Sequence, residues 1–156
     1  MDIHGRRSLD APRDDVFDAI CDPAMLLAVI PGCQAIERDG DVYRGRIALR
    51  IPGVSGTYGT VVRLVEQDRP VSGVLEGTVD GALGSIRGRA TFRLAASGAG
   101  TSVEYDGHAD LAGPLARLDG RFVESLASSL IGQGLGRLGA ELRRARERDD
   151  AAGARA

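Results

Sequence analysis

Between residues 41 and 111 the chain alternates apolar and polar side chains with a period of two, and that pattern confines it to a sheet. In VYRGRIALRI, Tyr43, Gly45, Ile47, Leu49 and Ile51 share one face, while Arg44, Arg46 and Arg50 share the other. SIRGRATFRLA sets Ile86, Gly88, Ala90, Phe92 and Leu94 against Arg87, Arg89, Thr91 and Arg93. TSVEYDGHADL sets Val103, Tyr105, Gly107, Ala109 and Leu111 against Glu104, Asp106, His108 and Asp110. GTYGTVVRLVE and VSGVLEGTVDG carry the same signal more weakly, and residues 2–9 and 33–39 add two further strands. Turn sequences fall at 38–41, 51–56, 68–70, 81–84 and 97–100. Such short connections make hairpins, so the sheet is antiparallel, with one face buried and one wet.

Helical signals occupy the remainder. Pro12 opens a helix with Asp14 and Asp15 in its first turn and Val16, Phe17 and Ile20 on its apolar side. Asp22-Pro23 reads as an N-cap followed by proline at the first helical position, opening a second short helix that runs to about Val29. A third, from about Pro114 to Arg148, carries Leu115, Leu118, Phe122, Leu126, Leu130, Leu138 and Leu142 as one stripe. Residues 149–156 read as a disordered tail. A one-sided sheet must cover its apolar face, and the long helix is the element that can do so. The expected architecture is α+β: one domain over residues 1–148, in which a curved antiparallel sheet of about seven strands wraps a long C-terminal helix, with two short helices after the first strand. A chain of 156 residues suits one core and one domain.

The inward face is short of bulk. Gly45, Gly73, Gly77, Gly81, Gly88, Ala90, Gly107 and Ala109 alternate there with Ile47, Leu49, Leu75, Val79, Phe92 and Tyr105. The chain holds 22 glycines and six Phe and Tyr residues together. Glycine within a strand marks a bend or the close approach of another group. Either these glycines only curve the sheet onto the helix, or the interior retains an apolar cavity for a ligand. The second reading puts Ile30, Leu49, Ile51, Tyr58, Leu75, Val79, Phe92, Tyr105, Leu111, Leu115, Leu118, Phe122 and Leu126 in its walls, with Tyr58 and Tyr105 as polar handles. With no charge on this register, the guest is expected to be largely apolar.

Much chemistry is disfavoured. The net charge of −2 gives no basic surface for nucleic acid. All 20 cations are arginine, which removes lysine chemistry, and the absence of asparagine removes N-glycosylation. His4 and His108 stand apart from any Cys/His cluster, so neither a metal site nor a histidine-based catalytic set is expected. GLGRLG at 134–139 has the dinucleotide-binding spacing but lies inside the last helix with no strand before it. Close packing of helix on sheet explains those glycines better. Arg87, Arg89 and Arg93 face Glu76, Asp80, Glu104, Asp106 and Asp110 across strands, so ion pairing accounts for them without an anionic partner. No export signal opens the sequence and its longest apolar run, Ala24–Ile30, is far below the ~20 residues that span a bilayer. A cytoplasmic setting follows, in which Cys21 and Cys33 are expected as thiols rather than a disulfide. In VIPGC, Pro31 and Gly32 suit the central positions of a type II turn, a corner between helix and strand. Nothing beside Cys33 would activate its thiol.

DPAMLLAVIPGCQAIE (22–37), YRGRIALRIPGVSGTYGTVVRL and GSIRGRATFRLAASGAGTSVEYD resemble the CoxG family of carbon monoxide dehydrogenase subunits, a branch of the START-like (SRPBCC) helix-grip superfamily. The likeness covers roughly residues 1–145. It implies an accessory protein without catalytic residues, serving a molybdenum-containing CO dehydrogenase or related hydroxylase. It further implies peripheral association with the inner face of the cell membrane and a link to the respiratory quinone pool. Many relatives extend into a linker and a membrane-seeking tail where this sequence stops at Ala156. A prenylated quinone of the menaquinone or ubiquinone type suits the expected cavity. Met25, Leu26, Leu27, Pro52, Val54 and Leu83 would then rim its mouth and touch membrane or partner. Two rivals remain: a recruitment adaptor with a filled core, and an enzyme of the polyketide cyclase/dehydrase kind, which needs a polar group inside.

Overall fold

The computed structural model describes residues 1–154. Seven strands form one antiparallel sheet in the order β1-β7-β6-β5-β4-β3-β2. They are β1 (Asp2–Leu9), β2 (Cys33–Asp39), β3 (Val42–Leu49), β4 (Gly56–Asp68), β5 (Ser72–Gly81), β6 (Gly84–Ser97) and β7 (Gly100–Ala112). Each of the five links from β2 to β7 is a hairpin, as the turn sequences predict. Among the described residues one crossover carries the chain from β1 through α1 (Arg13–Ile20) and α2 (Pro23–Val29) to the far edge at β2.

The sequence corner between α2 and β2 forms as expected. The Asp22 carboxylate accepts from the Ala24 amide at 3.0 Å, capping α2. The Cys33 amide donates to the Ile30 carbonyl at 3.1 Å, closing a turn over Pro31 and Gly32. Gly32 sits at φ 75°, the left-handed value that the third position of a type II turn demands.

The last helix departs from expectation. Pro114 opens only a 3-10 turn, Gly113–Arg117, and the chain then restarts as α3, Gly120–Ala154. Asp119 causes the restart: its carboxylate accepts from the Arg121 amide at 2.8 Å, an N-cap that resets the helical phase. At its other end α3 runs past Arg148 to Ala154, through most of the segment expected to be a disordered tail; residues 155 and 156 lie outside the described ones.

The interior is packed at two ends. Around α1, Phe17, Leu94, Val103, Leu138 and Leu142 form the larger cluster, with Phe17 and Phe92 rings 5.6 Å apart. Buried polar groups there are satisfied: Tyr43 Oη donates to the Cys21 carbonyl at 2.8 Å and Thr101 Oγ1 to that of Ala11 at 2.6 Å. At the opposite end Val54, Tyr58 and Leu115 form a smaller cluster, flanked by Ile51, Leu83 and Leu118. The glycines of GLGRLG seat α3 on the sheet edge and α2. A methyl at Gly136 would meet the Arg7 guanidinium at 2.8 Å, one at Gly139 would meet Leu9 at 3.0 Å, and Gly134 lies against Val29 and Pro31.

On the outer face the charges pair across strands. Arg89 binds Glu76, its direct neighbour on β5, and Arg93 binds Asp106 at 2.8 Å and Glu104 at 3.6 Å. These are exposed pairs, which orient side chains more than they stabilise the fold.

Candidate functional site

Between the two packed ends lies a cavity of about 490 Å³, bounded by the inner face of the sheet, by α2 and by the first half of α3. That is within the ~300–1,000 Å³ of small-molecule sites. Three cross-strand pairs explain how a sheet with aromatic residues on its inner face leaves this space open. Tyr58, Phe92 and Tyr105 each lie over a glycine of the adjoining strand, Gly81, Gly73 and Gly5 respectively. A ring that rests on a bare Cα hugs the sheet instead of standing into the interior.

Ten of the thirteen residues read from sequence as cavity walls line it: Ile30, Leu49, Tyr58, Leu75, Val79, Phe92, Tyr105, Leu111, Leu115 and Leu126. Ile51, Leu118 and Phe122 do not. β3 ends at Leu49, so the period-two register no longer governs Ile51, which turns into the small cluster. Leu118 closes the 3-10 turn, and Phe122, one position ahead of the lining Val123, points away and is 40% exposed. The true helical stripe is Val123, Leu126, Ala127, Leu130, Ile131, Gly134, Leu135 and Leu138, in phase with a start at Gly120. Asp119-Gly120 was the sequence signal for that phase. Met1, Ile3, Ile20 and Ile86 also line the cavity; Ile86 already lay on the inward face by register.

The expected rim divides. Val54 is buried and lines the cavity, because its loop folds inward: the Val54 amide donates to the Ile51 carbonyl at 3.0 Å and Ser55 Oγ donates to the same carbonyl at 2.8 Å. Met25 packs against the large cluster and Leu26 lines the cavity. Leu83 is half-buried, its carbonyl accepting from the Leu115 amide. Leu27 and Pro52 stay exposed, and Phe122 joins them, placed within 4.0 Å of a methyl built on Gly53. A second pocket of about 260 Å³ abuts the cavity at this end, sharing Met1, Leu111, Leu115 and Val123.

The two expected polar handles differ. Tyr58 Oη donates to the Val54 carbonyl at 2.7 Å, and burial pushes its pKa up, so it stays a neutral phenol engaged with the protein. Tyr105 Oη has no protein partner among the described residues. No charged side chain stands among the lining residues described. The cysteines lie outside the cavity wall, and burial pushes both thiols up, which keeps them protonated and poorly nucleophilic. His108, on the outer face, bridges Asp2 at 2.7 Å and Asp110 at 3.1 Å and ties β1 to β7.

A curved antiparallel sheet that grips one long helix across an apolar cavity defines a helix-grip, START-like protein. Solved structures share that fold. A conserved protein of Geobacillus kaustophilus superposes with a TM-score of 0.88 at 22% identity, covering 92% of this chain and 96% of its own. Protein Ms6760 of Mycobacterium smegmatis gives 0.71 at 15% identity, covering 92% of each chain. A Thermus thermophilus protein gives 0.68 at 18%, covering 93% and 99%. No curated protein sequence matches. The chain belongs to the CoxG family of carbon monoxide dehydrogenase subunits, whose sequence profile matches residues 5–142.

Proposed function

We propose that this protein is a non-catalytic accessory subunit of a molybdenum-containing CO dehydrogenase or related hydroxylase. It binds a respiratory quinone of the menaquinone or ubiquinone type and links the enzyme to the membrane quinone pool. The family membership supports the partner, and the 490 Å³ apolar cavity carries the ligand. A quinone couples a hydrocarbon tail to a head that accepts hydrogen bonds, which suits walls mostly of Leu, Ile, Val and Phe with hydroxyl residues at Tyr105 and Thr91. The open interior favours a carrier over a filled-core adaptor. A cyclase needs a polar group inside, and the lining side chains offer only the hydroxyls of Tyr58, Thr91 and Tyr105, with none charged, which favours the binding role. Exposed Leu27, Pro52 and Phe122 beside the cavity supply an apolar contact for the membrane interface or the enzyme. No helix among the described residues is long and apolar enough to cross a membrane, so the proposed association is peripheral.

Solvent extraction of protein purified from its native host, followed by mass spectrometry, tests this. A prenylated quinone in the extract, and a rise in Tm when menaquinone is added to delipidated protein, are the expected results. Absence of both overturns the reading.

A further inference from the structure

The two tyrosines of the cavity occupy opposite ends of it, and their hydroxyls are in opposite states. Tyr58 belongs to the small cluster with Val54 and Leu115, at the end bordered by exposed Pro52 and Phe122 and by the second pocket. Its hydroxyl is held by the Val54 carbonyl at 2.7 Å. Tyr105 packs against the large cluster of Phe17, Leu94 and Val103, at the end packed by α1 and by α3 lying on β1. Its hydroxyl and ring edge lie over Gly5 of β1, where a methyl would meet Oη first and stand 2.6 Å from Cζ. No protein acceptor among the described residues takes up its hydroxyl. An amphipathic guest therefore meets walls that are apolar apart from Tyr58, whose hydroxyl is already engaged, Thr91 and Tyr105, and a polar group left in those walls without a partner loses its hydrogen bonds to water.

We infer that Tyr105 orients the ligand: a lipophile with a carbonyl at one end accepts a hydrogen bond from Tyr105 Oη and lays its hydrocarbon tail toward the Tyr58 end. This rests on the lipophile-carrier reading and deepens it. It names the recognised group as a terminal hydrogen-bond acceptor and assigns the two tyrosines different roles.

The test uses two probes on the full chain: menadione, which is a naphthoquinone head without a tail, and squalene, which is isoprenoid hydrocarbon without a head. Binding is measured for wild type, Tyr105→Phe and Tyr58→Phe, with thermal melts to show that each variant is folded. The expected result is menadione binding weakened about five- to tenfold by Tyr105→Phe, the loss of one hydrogen bond, and little changed by Tyr58→Phe. Squalene binding is expected to be the same in all three. Menadione binding that is unaffected by Tyr105→Phe, or equally weakened by both variants, overturns the role of Tyr105 while leaving the carrier reading in place. Failure of wild type to bind either probe overturns the carrier reading and this inference with it.

Discussion

The ring of Phe92 lies across Gly73, its direct partner on β5, so closely that a methyl on Gly73 would stand 2.5 Å from Cζ and 2.6 Å from Cε1. Leu64 closes the third side at 3.2 Å. Gly73→Ala must therefore drive a buried ring off the sheet and toward the cavity. We expect a loss of about 1–3 kcal/mol in denaturant unfolding, the usual cost of overpacking. Gly59 is the control: a methyl there meets nothing closer than 3.9 Å. Gly59→Ala is expected to be neutral or to stabilise by up to about 1 kcal/mol, by restricting the unfolded chain.

These pairs also show which parts of the site could be read from the sequence. Alternation fixes which residues face inward, because the side-chain period in a strand is two and a slip would expose every apolar group at once. Hence Leu49, Leu75, Val79, Phe92, Tyr105 and Leu111 could be placed from the sequence. Alternation does not say which way a ring leans, and the glycine that receives it belongs to another strand. A helix is less forgiving of its start point. One position shifts a side chain by about 100° around the axis, so reading α3 from Pro114 instead of Gly120 put Phe122 inside and left Val123 out. Ile51 and Val54 exchanged places for a third reason: their loop is held by three hydrogen bonds of its own and obeys no period.

Gly32 carries the α2–β2 corner. At φ 75° any other residue is strained, and a Cβ would collide with the Ala48 carbonyl on β3, a backbone atom that cannot rotate aside. Gly32→Ala is expected to cost about 2–3 kcal/mol. Because α2 borders the cavity, the same substitution is expected to speed hydrogen exchange in residues 23–36 before it affects β6 and β7.

His108 couples the edge strand to pH. Its hydrogen bonds to Asp2 and then to Asp110 raise its pKa above the ordinary 6.5, while the bond with His108 lowers that of Asp2 below 3.8. A raised histidine contributes stability that is complete below about 6.5 and is lost as pH climbs through its folded pKa; a lowered carboxylate contributes above about 3.8 and loses it as pH falls through its own. The bridge is thus fully formed between those limits. An NMR titration is expected to place the His108 midpoint above 6.5 and to move it down in Asp2→Asn. Amide exchange in β1 should quicken above that midpoint, and His108→Ala should remove the pH dependence.

Ala127 lies on the α3 face that lines the cavity, with open space before it. Ala127→Phe is expected to fill part of that space without loss of Tm, since the added ring gains contacts that the void withholds. Lipophile recovered by solvent extraction should fall sharply relative to wild type. Unchanged recovery would place the bound lipid elsewhere on the surface.

Leucines on the two sides of the cavity wall should respond differently to truncation. Leu94 is 2% exposed and packed on all sides within the large cluster. Leu94→Ala removes those contacts and leaves a void among rigid neighbours, for an expected loss of about 3–5 kcal/mol. Leu126 is only half-buried and faces the cavity, so part of its surface already lacks protein partners. Leu126→Ala forfeits fewer contacts and merges its volume with an existing space, for an expected loss of about 1 kcal/mol in ligand-free protein. A lipid filling the cavity supplies the missing contacts to Leu126 but none to Leu94. Adding menaquinone should therefore raise the cost of Leu126→Ala and leave that of Leu94→Ala unchanged, a difference that parallel thermal melts of the two variants would read directly.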